Sequence, residues 1–222
     1  DAAGPTIADN VTGMYACYGI LAALLSRAVT GKGARVATNM LESGIAFIPD
    51  TFATFARLGI VSGSHTRVST SQSYAFACAD DRMLALHLST PDKFWKGLLA
   101  AIERPELADD ERFSTRDARV THYEVLKAEL AAAFRTQPRA EWCRRLEAED
   151  VPHAPIWSAD EVIEDPQVKH LRTFYEMQHP RLGTVTGIER PVLIDGERGP
   201  HRMPAPALGE HNAKIAAEFG LD

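Results

Sequence analysis

From Val11 to Arg27 apolar residues fall on nearly every face of a helical projection. A surface helix carries one polar stripe, so this pattern predicts a helix buried on all sides. Ahead of it, Asp1 to Ile7 holds Gly4 and Pro5 and reads as loop, with Asp9 or Asn10 suited to the helix cap. A short side-chain acceptor there satisfies unpaired backbone N–H groups of the first turn. Thr30-Gly31-Lys32-Gly33 closes the helix, since glycine takes the left-handed conformation readily. Arg35 to Thr38 then reads as a short strand, and Met40 to Leu58 as a helix interrupted at Pro49. Helix, strand and helix in this order predict an α/β layer.

Between Gly59 and Ser73 the composition shifts to Gly, Ser, Thr and His, the mark of a linker and domain boundary. Two strand-like runs follow, Tyr74 to Cys78 and Met83 to Leu88, with Asp80-Asp81 between them as the turn of a hairpin. A helix is expected to Ile102, with Thr90 as its cap and Pro91 at its first position. Helical periodicity recurs over Arg116 to Phe134 and Pro138 to Ala148. Val151 to Ile156 reads as extended, Ser158 to Ile163 as helix, and a helical turn follows Asp165-Pro166. Strands are expected at Tyr175 to His179, Gly183 to Ile188 and Pro191 to Ile194, and a last helix at Glu210 to Phe219.

Composition narrows the function. The 222 residues are 45% hydrophobic and 24% charged, with a net charge of −6, so no broad basic surface for nucleic acid is expected. Cys17, Cys78 and Cys143 are odd in number and far apart, without CxxC or Cys/His metal spacing. They predict neither a disulfide framework nor a metal site, and a cytoplasmic protein. The longest apolar stretch, Gly13 to Leu25, is short of the roughly 20 residues of a membrane span, and no basic region precedes it. No membrane is expected. The chain opens on Asp, with a strong helix within ten residues, and reads as part of something longer.

Among chemical candidates, Asp9 is the sharpest. A carboxylate in a first helical turn gains from the helix dipole and free N–H groups, which can also hold a charged intermediate. On local grounds it is either a cap or a nucleophile. Thr12-Gly13 serves either close helix packing or the approach of a ligand to the backbone. Ser69 to Tyr74 is polar and lies at the proposed boundary, where ligand sites often form; the alternative is a simple linker. His87 fits a half-buried strand residue, His211 the start of the last helix, and Trp95, Trp142 and Trp157 packing. No GxSxG, GxGxxG or GxxxxGK motif is present.

Taken in order, these segments resemble the class III coenzyme A transferases, of the formyl-CoA and carnitine CoA-transferase type. Pro5 to Met14, then Gly19-Ile20-Leu21-Ala22-Ala23-Leu24-Leu25, Arg27 and Thr30-Gly31-Lys32-Gly33 resemble the family's central signature. Further markers are Arg104 to Asp110 with Arg112-Phe113, Val151-Pro152 with Ala154-Pro155, and Asp165-Pro166-Gln167-Val168. His179 to Gly183 and Pro204 to Pro206 with Leu208-Gly209-Glu210-His211 complete the series.

The resemblance implies an α/β fold: part of a Rossmann-like large domain, a smaller α+β domain, and an interlocked homodimer in the complete protein. Residues 1–60 would end the large CoA-binding domain, 61–163 form the small one, and 164–222 return to the large. Asp9 would be the catalytic nucleophile, with Thr12, Gly13, Gln72, Ser73 and Tyr74 toward the substrate. Coenzyme A would be a substrate, exchanged between an acyl-CoA and a carboxylic acid, with no separate cofactor. Where some members have a glycine-rich loop, Thr70 to Tyr74 has no glycine, which argues against a moving lid. The related α-methylacyl-CoA racemases have a more glycine-rich stretch after the aspartate, so racemization is the second reading. A non-catalytic module is the third, because the family's N-terminal half is missing from this chain.

Overall fold

The computed structural model describes residues 6–63, 65–89, 91–199 and 203–221. The expected loop over 1–5 and the expected cap Thr90 lie outside the described residues.

The apolar N-terminal run forms α1 (Ile7–Thr30), closed by Gly31, which takes φ 70° and donates its N–H to Arg27 O at 2.8 Å. Its start differs from expectation: Thr6 precedes the first turn, so Asp9 is inside the helix rather than its cap. Its burial differs more. Val11 alone is buried, while Met14, Tyr18, Leu21 and Leu25 are 53–71% exposed. Their spacing makes one apolar stripe along the helix. By length and composition α1 is also apolar enough to cross a membrane. Periodicity reports that a helix is apolar, whereas burial depends on what packs against it.

After α1, Arg35 to Thr38 forms no strand, finding no partner among the described residues, and has no regular structure. It runs close to α1, where a Cβ on Gly19 would stand 2.8 Å from Val36 Cγ1. Asn39 then caps α2 (Met40–Phe47) by accepting the Glu42 N–H at 2.9 Å. Pro49 divides α2 from α3 (Pro49–Leu58), as expected, and α2 packs on α1. The polar segment contains one short helix, α4 (Thr66–Thr70).

The hairpin forms as β1 (Ser73–Ala77) and β2 (Met83–His87), and β3 (His153–Ile156) adds to it in the order β1-β2-β3, all antiparallel. Register explains the packing. Tyr74 faces Leu86 and Phe76 faces Leu84, and all four are buried, so one face of the sheet is apolar. That face is covered by α5 (Asp92–Ala101), α7 (Tyr123–Phe134) and α8 (Arg139–Ala148). The 3₁₀ turn Pro105–Ala108 and α6 (Arg116–Thr121) connect them. The expected helix over Arg116 to Phe134 is thus two helices, because His122 leaves helical geometry at ψ 29°.

Rings run through this core in series: Tyr123, Tyr74, Phe76, Phe134 and Trp142, with centroids 4.8–5.7 Å apart. Trp142 Nε1 donates to Phe134 O at 2.8 Å, so its burial leaves no donor unpaired. Each fully buried Leu here, such as Leu84, Leu126 or Leu130, contributes about 1.5–3 kcal/mol.

Beyond β3 come α9 (Ala159–Glu164), α10 (Pro166–His170), the separate hairpin β4 (Phe174–His179) and β5 (Gly183–Ile188), and α11 (Asn212–Phe219). The expected strand at Pro191 to Ile194 reduces to one bridge between Ile194 and Glu197.

Candidate active site

Asp9 is the third residue of α1. The first backbone bond of the helix runs from the Asn10 N–H to Thr6 O at 3.2 Å, so the amides of Ile7, Ala8 and Asp9 precede it. Free amides and the dipole make this turn locally positive. The Asp9 carboxylate is exposed and forms no hydrogen bond or ion pair with a described residue. It lines a cavity of about 390 Å³ with Thr6, Ile7, Ala8 and Val11. The opposite wall is Gly44 and Phe47 of α2 with Ile48 just beyond it. The Asn39 cap and the close passage of Val36 over Gly19 set that wall against α1. A carboxylate so placed is a hydrogen-bond acceptor without a competing partner among the described residues.

Thr12 and Gly13 follow one turn later. The Thr12 hydroxyl donates back to Ala8 O at 2.7 Å. A Cβ built on Gly13 meets nothing within 4 Å, so close packing does not account for this glycine among the described residues. Gly44 is equally open.

Gln72, Ser73 and Tyr74 stand at the start of β1, and no hydrogen bond or ion pair joins them to Asp9 among the described residues. Gln72 is buried with a left-handed φ of 48°. Its Nε2 donates to Ser89 O at 2.6 Å and its Oε1 accepts from Arg119 Nε at 2.7 Å. Arg119 is buried too, stacks on Trp95 at 4.8 Å, and donates to Phe113 O at 2.9 Å. Desolvation pushes its guanidinium down from the ordinary value, opposed by the Asp92 carboxylate. The Ser73 hydroxyl shares a hydrogen bond with Ser71 at 2.8 Å, and Ser73 O accepts from the Tyr123 hydroxyl at 2.5 Å. Tyr74 is buried, and burial pushes its phenol up from the ordinary value. The six predicted residues therefore form two groups, one on α1 and one on β1.

Sequence reasoning missed Gly44, Phe47 and Ile48. Their only signal was the interruption at Pro49, which ends α2 beside the first turn of α1. No group of three or more His, Cys, Asp or Glu with metal-binding geometry occurs among the described residues.

A family model described as CoA-transferase family III matches residues 2–212. The chain belongs to this family. It is 27% identical over 215 residues to (R)-2-hydroxy-4-methylpentanoate CoA-transferase of Clostridioides difficile, covering 96% of this chain and 54% of that protein. It is 29% identical over 221 residues to acetyl-CoA:oxalate CoA-transferase of Acetobacter aceti, covering 97% and 54%. Among solved structures, a CAIB/BAIF family protein from Brucella suis superposes with a TM-score of 0.80 at 27% identity, covering 100% of this chain and 57% of that one. Rv3272 from M. tuberculosis gives 0.77 at 26%, covering 96% and 56%. The chain spans about half the length of the curated relatives it matches.

Proposed function

We propose that the complete protein moves coenzyme A between an acyl-CoA and a free carboxylic acid, with Asp9 as the covalent nucleophile. The observation that carries this reading is the Asp9 carboxylate in the first turn of α1, on an open cavity and without a partner among the described residues. Asp9 attacks the thioester carbonyl, the C–S bond breaks, and a mixed anhydride and CoA thiolate result. The thiolate attacks the Asp9 carbonyl of the anhydride and releases the first acid, leaving an aspartyl-CoA thioester. An incoming carboxylate attacks that thioester and expels the thiolate, which takes the new acyl group and frees Asp9. Four easier displacements replace one hard exchange, and charge that develops near Asp9 lies at a positive helix end.

In this reading Gly13 leaves room for substrate at the backbone beyond Asp9. Ser73 and Tyr74 serve the substrate from β1, with Gln72 fixing their strand through Arg119 and Ser89. Residues 1–60 and 164–222 belong to a large CoA-binding domain and 61–163 to a small one, supported by a core drawn from Tyr74 to Val151. The apolar stripe of α1 is covered by the remainder of a cytoplasmic, interlocked homodimer, with coenzyme A as substrate and no separate cofactor. Racemization is the less favoured reading, since the relatives reported above are CoA-transferases by name.

The test is thioester exchange by the complete protein. Asp9→Ala lowers kcat by about a thousandfold or more while leaving the fold intact, the order of loss on removing a covalent nucleophile. An Asp9→Ala protein that exchanges at the original rate would sink the proposal.

A further inference from the structure

Beside Asp9, the cavity at the start of α1 is walled by Ile7, Ala8 and Val11 on one side and by Gly44, Phe47 and Ile48 on the other. No Lys, Arg or His belongs to its described lining. The remaining polar side chain is Thr6, whose hydroxyl accepts from Asn10 Nδ2 at 3.4 Å. Asp9 is thus the one charged side chain on that described lining, and its charge is negative.

Gly44 lies inside α2, where glycine lowers helix stability relative to alanine. It has no left-handed φ that would call for glycine, and a Cβ built on it meets nothing within 4 Å. The helix around it is held in place: Ser43 is buried and shares a hydrogen bond with Thr38 at 3.2 Å, and Asn39 caps the first turn. Among the described residues, the missing side chain at 44 enlarges the cavity and eases no contact.

We propose, resting on the reading of Asp9 as nucleophile, that this cavity holds the hydrocarbon body of the acyl group. The substrate is then the coenzyme A ester of an apolar monocarboxylic acid, with Gly44 and Phe47 setting the preference. A thioester carbonyl at Asp9 leaves its acyl chain against Ile7, Val11, Phe47 and Ile48, where burying methylenes is favourable. The free carboxylate of a dicarboxylic acyl group would lose water there with no cation to pair with. It would also face the Asp9 carboxylate before that group reacts.

The first half of the exchange tests this in the complete protein, mixed with one acyl-CoA and no acceptor acid. Asp9 takes up coenzyme A as a thioester and one equivalent of free acid leaves, which is followed in time. Hexanoyl-CoA is expected to react about a hundredfold faster than glutaryl-CoA, whose chain is of similar length but ends in a carboxylate. It should exceed acetyl-CoA by about fourfold for each methylene buried. Phe47→Lys puts a cation on the wall and raises glutaryl-CoA about tenfold or more relative to hexanoyl-CoA. Gly44→Leu fills the cavity and lowers the hexanoyl-to-acetyl ratio about tenfold or more.

Glutaryl-CoA reacting as fast as hexanoyl-CoA, by a release of acid that Asp9→Ala abolishes, would overturn this inference and leave the nucleophile standing. Ratios that both wall variants leave unchanged would overturn it too, and would set Gly44 and Phe47 away from the acyl chain. Acid release that survives Asp9→Ala, or none from any of the three esters, would overturn the nucleophile and this inference with it. If neither wall variant folds, the comparison of hexanoyl-CoA with glutaryl-CoA in the original protein decides.

Discussion

Carboxylates in this chain divide into those with a cationic partner and those without, and the division tracks the work proposed for them. Glu141 accepts from both Arg144 and Arg145, at 2.7–2.8 Å. Glu161 accepts from Arg139 Nη2 at 2.6 Å and from the Ser158 N–H at 3.1 Å, while Arg139 itself is buried 4.3 Å from the Trp157 ring. The Arg139 hydrogen bond, then the Ser158 amide, hold the Glu161 carboxyl at about 2 against an ordinary 4.5. A depressed folded-state value means the stabilization is full above the unfolded value and is lost as pH falls through the folded one. Glu161→Gln therefore lowers the melting temperature at pH 7, and the gap from the original protein closes between about pH 4.5 and pH 2. Melting curves across that range check it; a gap that stays constant with pH would contradict the pairing. Asp9 has no such partner among the described residues, as the proposed nucleophile requires.

At the scale of elements, legibility followed whether a segment meets its partner within the chain. The β1–β2 hairpin was readable because the alternation of Tyr74, Phe76, Leu84 and Leu86 and the turn at Asp80-Asp81 are local. Arg35 to Thr38 has the composition of a strand, but a strand needs a neighbour to bond, and none is described. The site was legible in part. Asp9 stood out by its place before an apolar run, whereas Gly44 and Phe47 reach the cavity only through the packing of α2 on α1. The bonds of Gln72 to Arg119 span 47 residues and carry no local signal.

Packing between elements is close at Gly97 in α5, where a Cβ would stand 2.7 Å from Glu149 O and 2.9 Å from Val151 Cγ2. Alanine gains about 1 kcal/mol in helix propensity over glycine, but a backbone carbonyl cannot yield as a side chain can. Overpacking of this kind costs about 1–3 kcal/mol, so Gly97→Ala is a net destabilization of up to about 2 kcal/mol. The urea midpoint should fall with the slope unchanged; an unchanged or higher midpoint would show that α5 can move away from α8.

For the whole molecule, the apolar stripe on α1 and the half-length match to the relatives belong together. A core of buried rings and leucines lies between Tyr74 and Val151, while α1 presents Met14, Tyr18, Leu21 and Leu25 outward. Large exposed apolar faces mark interaction sites, and the proposed active site sits at the start of that same helix. Covalent chemistry at Asp9 is the centre of the account, and trapping tests it most directly. The complete protein is incubated with a panel of acyl-CoAs, quenched with borohydride, and digested for mass analysis of the peptide containing Asp9. Reduction of the Asp9 carboxyl to the alcohol with a productive acyl-CoA is the result expected, and that acyl-CoA identifies the substrate class. An unmodified Asp9 peptide from a protein that exchanges thioesters under the same conditions would contradict the account and return Asp9 to a structural role in the first turn of α1.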